Sequence, residues 1–193
     1  VRDKRVDNLF LLPAAQTRTK DAVSAEQMEE LCAMLRKEFD FIILDSPAGI
    51  ESGFRNAAVG ADEALVITTP EVPAVRDADR IIGLLESMGK SPIRLVINRL
   101  RGRLVREGEM LDVRDVLDIL AIDLVGIVPE DESVVKSANR GEPLTFGDSA
   151  PAAHAFQRIA SRILGETVRF PDFSEEQGKG FLAGIRKFFG RKE

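Results

Sequence analysis

The sequence predicts an α/β protein with a doubly wound, mostly parallel sheet and helices on both faces. Its 193 residues are enough for one domain with a sizeable core. Short apolar runs, each too short for a helix, alternate over most of the chain with stretches of helical spacing. Such alternation is typical of parallel strands joined by crossover helices. The predicted strands are 9–12, 41–44, 64–67, 93–97 and 124–128.

The predicted helices follow from apolar residues three and four positions apart. The first is expected over 24–37, where Ser24 and Gln27 form a capping box and Cys32 falls on the apolar face. We expect Cys32 to be a small buried hydrophobe. Three further helices are expected at 74–88, 113–120 and 152–164.

Composition excludes several classes of protein. No apolar run reaches about 18 residues and no signal segment opens the chain, so a cytoplasmic protein is expected. One cysteine and one histidine leave no ligand set for structural zinc. The net charge of −5 argues against a nucleic-acid surface. Because Val1 is not an initiator, we interpret the chain as part of something longer.

The carboxyl-terminal residues differ from the rest in charge and pattern. Residues 1–165 form the predicted α/β domain, 166–180 have linker composition, and 181–193 predict an amphipathic helix. Its apolar stripe and basic flank suit the surface of an anionic bilayer. The alternative is a terminal helix packed on the domain core. The residues expected to contact lipid are Phe181, Leu182, Ile185, Arg186, Lys187, Phe188 and Phe189.

A carboxylate follows the second apolar run. The run 41–44 ends in Asp45, which is a Walker B pattern, in which an aspartate at a strand tip reaches Mg²⁺ directly or through water. The alternative is an aspartate that forms a turn and caps a helix. The full string FIILDSPAGIE is less generic. It resembles the switch II segment of the ParA and MinD group of P-loop ATPases.

Four more segments resemble one branch of that group, the MinD family of cell-division regulators. Their order and spacing match as well, and together they cover nearly all of the chain. The segments are ADEALVITTPEVPAVRDADRI at 61–81, Asn98-Arg99, LVGIVPEDESVVKSANRGEP at 124–143, and GFLAGIRKFFGRKE at 180–193.

The resemblance implies a homodimer that binds ATP and Mg²⁺, with Asp45 orienting the metal shell. The segment after Asp45 would report the γ-phosphate, through Ser46, Pro47 and Gly49. The residues implied to surround the adenine are Asn98, Arg99, Pro129 and Asp131. Read without the family, these are polar residues at a strand end and, at 130–132, an acidic helix start.

The family also implies partners. The predicted helix at 74–88 would bind a MinC-type division inhibitor and a MinE-type topological regulator, through Arg76, Asp77 and Asp79. The alternative is a surface helix with solvated charges. The chain would act at the cytoplasmic face of the inner membrane. His154 is expected to be exposed, without a catalytic role.

The family's Gly-rich, Lys-bearing phosphate loop is not found in these residues. The string Gly89-Lys90-Ser91 fails the pattern because Leu84 stands where it requires glycine, and we expect a helix-terminating turn there. We therefore expect this chain alone not to bind or hydrolyse ATP competently. Two other hypotheses stay open: a non-catalytic, membrane-recruited interaction module, and another ParA-type partitioning ATPase.

Overall fold

A computed structural model describes residues 1–13, 23–47, 49–50, 52–147 and 150–170. The chain divides into two compact units, Val1–Ala61 and Asp62–Glu193, each taken by itself below.

The first unit is built on two packed helices, α1 (Ala25–Leu35) and α2 (Ser52–Gly60). The predicted capping box of α1 is confirmed: Ser24 Oγ accepts from the Gln27 N–H at 3.2 Å, and Gln27 Oε1 accepts from the Ser24 N–H at 2.9 Å. Cys32 is buried, as predicted. A Cβ atom on Gly60 would lie 2.6 Å from Cys32 Sγ, so only glycine fits where α2 meets α1.

Two strand predictions in this unit are wrong. Residues 9–12 and 41–44 form no strand, apart from an isolated antiparallel bridge between Phe10 and Arg2. The side chains are not buried either, since Ile43 is 92% exposed. A strand requires hydrogen bonds to a neighbouring strand. No other strand pairs with these runs among the described residues, so apolar composition alone does not make them part of a sheet.

The second unit contains a three-stranded parallel sheet in the order β1-β2-β3. The strands are β1 (Ala64–Thr68), β2 (Ile93–Leu100) and β3 (Asp123–Pro129). The helices are α3 (Val72–Ser87), α4 (Gly102–Glu107), α5 (Val113–Leu120), α6 (Glu132–Arg140) and α7 (Pro151–Ile163), with a 3-10 turn at Leu144–Phe146. The three strand predictions in this unit are confirmed. All four helix predictions are confirmed as well, namely α1 in the first unit and α3, α5 and α7 in this one.

The helices cover the sheet with interlocking apolar side chains. Val96, Val125 and Val128 pack with Ala155 and Ile159 of α7. Leu95 and Ile97 alternate with Val96 along β2 and are fully buried, so their side chains lie on the opposite face. Helix α3 packs on β1 and α5. These contacts fix the positions of the ends of β2 and β3.

The turn after α3 agrees with its prediction. Helix α3 ends at Ser87, and Gly89 follows with a φ of +70°, the left-handed conformation that commonly terminates a helix. The string Gly89-Lys90-Ser91 therefore leaves a helix and precedes β2, which is the wrong context for a phosphate loop.

Two kinds of feature are absent from the described ranges. No helix there has the length and hydropathy needed to cross a membrane. Within the same ranges, no three His, Cys, Asp or Glu side chains converge on a possible metal position.

Candidate functional site

The end of β2 is irregular at the two residues expected to contact the base. The pairing of β2 with β3 shifts register between Ile97 and Leu100. Arg99 has a φ of +58°, a strained conformation for a residue with a side chain. Asn98 Oδ1 accepts a hydrogen bond from the Arg99 N–H at 3.0 Å. The bulge therefore sets the direction of both side chains.

An ion pair connects this bulge to the residue after β3. Arg99 donates to Glu130 twice, from Nε to Oε2 at 2.9 Å and from Nη2 to Oε1 at 3.3 Å. Arg101 adds a third hydrogen bond to Oε1 at 3.4 Å. The Glu130 backbone N–H also donates to Leu100 O at 3.0 Å. The hydrogen bond from Arg99 is the main cause of the lowered pKa of Glu130, and it likewise raises the pKa of Arg99.

Asp131 joins the end of β3 to two helices. Its Oδ1 accepts from the Ser133 N–H at 2.8 Å and caps α6, and its Oδ2 accepts from the Ala152 N–H at 3.1 Å at the start of α7. The backbone hydrogen bonds from Ser133 and Ala152 lower the pKa of the Asp131 carboxyl. Because both oxygens bind backbone amides, its side chain orders the loop that begins at Pro129.

These contacts leave two groups available to bind a nucleobase. Asn98 uses its carbonyl oxygen internally, and its amide nitrogen has no partner among the residues described, so it can donate to a ring nitrogen. One edge of the Arg99 guanidinium, formed by Nε and Nη2, is occupied by Glu130, but its faces are available for stacking. The strand ends of this unit therefore offer one amide donor and one planar cation.

The segment around Asp45 belongs to the first unit. Asp45 is exposed and makes no hydrogen bond or ion pair with the rest of the described chain. Mg²⁺ is usually held by one or two carboxylates together with water and substrate phosphates, so a lone exposed carboxylate fits that ion. Ser46 Oγ donates to Pro47 O at 3.2 Å, and Gly49 has a φ of +94°.

The predicted site residues therefore fall into two groups in separate units. Asp45, Ser46, Pro47 and Gly49 lie in the first. The second holds the strand-end cluster, defined as Asn98, Arg99, Glu130 and Asp131. Glu130 was not among the predicted site residues. The Pro-Glu-Asp string was its only signal, because the pairing depends on the register between β2 and β3.

The predicted partner surface and the neighbouring charges have the expected exposure. Arg76, Asp77 and Asp79 are exposed on α3. The opposite side of the helix is buried, through Val75, Ala78, Ile82 and Leu85. His154 is exposed on α7, with Nδ1 3.4 Å from Gln157 Oε1. The predicted membrane helix at 181–193 lies outside the described residues.

Comparisons with known proteins agree on one family. Residues 6–144 match the family model of the CobQ/CobB/MinD/ParA nucleotide binding domain. The septum site-determining protein MinD of Bacillus subtilis (strain 168) is 50% identical over 192 residues, which cover 98% of this chain and 71% of that protein. Its counterpart in Escherichia coli (strain K12) is 45% identical over 199 residues, with 98% and 72% covered.

A solved structure gives the same assignment. The MinC:MinD cell division protein complex of Aquifex aeolicus matches with a TM-score of 0.82 and 40% sequence identity, covering 89% of this chain and 69% of that chain. The extent of these matches shows that the chain belongs to the MinD family of septum site-determining, nucleotide-binding proteins.

Proposed function

We propose that the chain is a nucleotide-controlled, membrane-associated regulator of septum placement that recruits a division inhibitor to the membrane. The observation that carries the proposal is the strand-end cluster, in which Glu130 binds Arg99 and Asp131 orders the loop after β3. Membership of a nucleotide-binding family supports it.

In this proposal ATP and Mg²⁺ bind a doubly wound, P-loop-type fold. Asp45 orients the metal shell through water, and Ser46, Pro47 and Gly49 respond to the γ-phosphate. Asn98 donates to the adenine, Arg99 stacks on it, and Pro129 and Asp131 form the rim of the pocket. The bound metal supplies charge neutralisation for phosphoryl transfer.

We expect the 193-residue chain alone not to hydrolyse ATP competently. The sequence contains no Gly-rich loop with a lysine, and such a loop cradles the phosphates in P-loop ATPases. The second candidate is a non-catalytic interaction module that keeps the partner helix and the tail. In-frame coding sequence upstream of Val1 separates the two, because a Gly-rich, Lys-bearing loop there would contradict the non-catalytic module. Micromolar ATP binding by the 193-residue chain would contradict the expectation that it does not bind the nucleotide competently.

The membrane and partner roles rest on other parts of the chain. The predicted amphipathic helix at 181–193 would hold the protein at the cytoplasmic face of the inner membrane, and ATP-driven dimerisation would supply a second copy of the helix. Helix α3 exposes Arg76, Asp77 and Asp79 to the inhibitor. The solved MinC:MinD complex of Aquifex aeolicus supports a MinC-type partner, and a MinE-type regulator is proposed for the same surface.

Recruitment to vesicles tests this function directly. The MinC-type inhibitor of the same organism is sedimented with anionic vesicles alone, with the full chain, and with the chain ending at Gly178. We expect the inhibitor to pellet only with the full chain. Equal pelleting with the shortened chain would contradict recruitment through the tail, and no pelleting with either would contradict recruitment itself.

A further inference from the structure

Arg162, in the last turn of α7, binds the chain that follows the helix. Its Nε donates to Val168 O at 3.2 Å, and its Nη2 donates to Arg169 O at 3.0 Å. The guanidinium carbon lies 3.8 Å above the centre of the Phe170 ring, in cation–π contact. One side chain therefore contacts three consecutive residues beyond α7.

The same guanidinium also binds the sheet. Its Nη1 donates to Val125 O of β3 at 2.9 Å. Arg162 is only partly exposed, and burial lowers its pKa. Within the described ranges its partners are three backbone carbonyls and a ring, without a carboxylate. A planar fork with five N–H donors can make these contacts together, whereas a lysine cannot.

Helix α7 makes hydrogen bonds near both ends of β3. Its first turn is bound to Asp131, just beyond the carboxyl end of β3, through the Ala152 N–H. Arg162 follows ten residues later and reaches Val125, near the start of the same strand. Ten residues of helix extend about 15 Å. Residues 168–170 are thus held near the edge where the strands begin, away from the strand-end cluster.

We propose that Arg162 is the positioning residue that fixes where the chain leaves the domain towards the membrane tail, at the edge of the sheet opposite the strand-end cluster. The proposal rests on the proposed membrane role of the tail. With this anchor, the chain leaves the domain after Phe170 instead of at the end of α7. When the tail is bound to a membrane, the domain then presents the amino ends of its strands to the bilayer and the strand-end cluster to the cytoplasm.

Spin labels test the anchor without lipid. Labels are placed at Glu132→Cys, at the exposed start of α6, and at Asp172→Cys, and the distance distribution between them is measured. Cys32 is buried, and the unsubstituted chain treated with the same spin label is the control that shows whether Cys32 stays unlabelled. Arg162→Gln and Arg162→Lys are expected to widen the distribution at least twofold. Phe170→Ala, at a residue 41% exposed, serves as a second variant that leaves the core intact.

Arg158→Gln is the matched control, because it removes the same charge one turn earlier on α7. It is expected to leave the distribution narrow. A broad distribution in the unsubstituted background, or an unchanged width in both Arg162 variants and Phe170→Ala, would overturn the proposal.

Energy transfer to labelled anionic vesicles tests the orientation. Single donors at Asp123→Cys, at the start of β3, and at Glu132→Cys are compared. Transfer is expected to be stronger from position 123, with the difference lost in Arg162→Gln. Equal transfer from a chain that pellets with vesicles would overturn the proposed orientation. A chain that does not pellet would refute the membrane function, while the spin-label widths still decide whether Arg162 anchors residues 168–170.

Discussion

Arg99, near the end of β2, and Glu130, directly after β3, form a two-point ion pair with distances of 2.9 and 3.3 Å. The pair crosses between the carboxyl ends of neighbouring parallel strands, where ligands bind in open α/β sheets. Arg99 also has a positive φ, a strain that is retained where the surroundings hold it and that is found often at functional sites. We infer that Glu130 holds Arg99 in place for the base.

Glu130→Gln is predicted to loosen Arg99 without unfolding the domain. Both side chains are partly exposed, and exposed ion pairs contribute little stability, so the melting temperature should change little. Loss of the charged acceptor should speed exchange of the Arg99 Nε–H with water, measured by NMR after assignment with Arg99→Lys. Glu132→Gln, which removes only a surface pair with Lys136, is the control. Unchanged exchange at Arg99 would refute its positioning by Glu130.

Asp131 is predicted to make stability depend on acid pH. Its pKa is lowered in the folded state by backbone N–H donors, so its contribution is present above the unfolded pKa of about 4 and is lost as pH falls through the folded value. Urea unfolding between pH 7 and pH 3 measures this. Asp131→Asn keeps one acceptor, so it should be less stable than the natural chain at pH 7 and lose less on acidification. Parallel pH profiles for the two proteins would contradict this role.

Gly126→Ala is predicted to destabilise the contact of α7 with β3. The new Cβ atom would lie 2.1 Å from Ile159 Cγ1, and Ile159 is buried in the core. Overpacking of this kind costs about 1–3 kcal/mol. Ile159→Ala removes the clashing atoms, so the double variant should be more stable than the sum of the single changes predicts.

Gly83→Ala is the control for this substitution. Its Cβ atom would meet nothing within 4 Å on the exposed side of α3, and the change should stabilise by about 0.4–1 kcal/mol. Urea unfolding measures all four variants. Equal effects at positions 126 and 83 would refute the steric explanation.

Charge reversal on α3 is predicted to weaken binding of the inhibitor without affecting the fold. Arg76, Asp77 and Asp79 are exposed, so replacing them with residues of opposite charge should leave the melting temperature nearly unchanged. Calorimetric titration with the MinC-type inhibitor should show at least tenfold weaker binding. Lys136→Glu on α6 is the control at an exposed position elsewhere. Equal affinities for the two variants would argue against α3 as the partner surface.

Local patterns predicted much of the fold because they depend on neighbours in sequence. The Ser24 capping box, the buried side of α3 and the spacing in α5 and α7 are all readable in this way. The run 41–44 shows the limit, because its composition resembles a buried strand although no partner pairs with it in the described chain. Short helices such as α2 and α4 were missed, since six to nine residues carry little periodicity.

The site was predictable only in part, for the same reason. The resemblance to the MinD family indicated Asn98, Arg99, Pro129 and Asp131, but the spacing of these residues did not. The pairing of Arg99 with Glu130 depends on a register shift between strands about thirty residues apart, which no local pattern encodes. The burial of Asp115 at the start of α5 likewise could not be predicted from the sequence, because charged residues are usually exposed.

Co-sedimentation with anionic vesicles, with and without ATP, is the most direct test of the account. The full chain is compared with the chain ending at Gly178 and with Phe188→Asp/Phe189→Asp, and Glu175→Gln/Glu176→Gln is the control that keeps the apolar stripe. We predict that the full chain and the control pellet, that the other two do not, and that ATP makes no difference. Pelleting of the shortened chain would contradict the membrane role of the tail. Pelleting that rises with ATP would contradict the expectation that this chain alone does not bind the nucleotide competently.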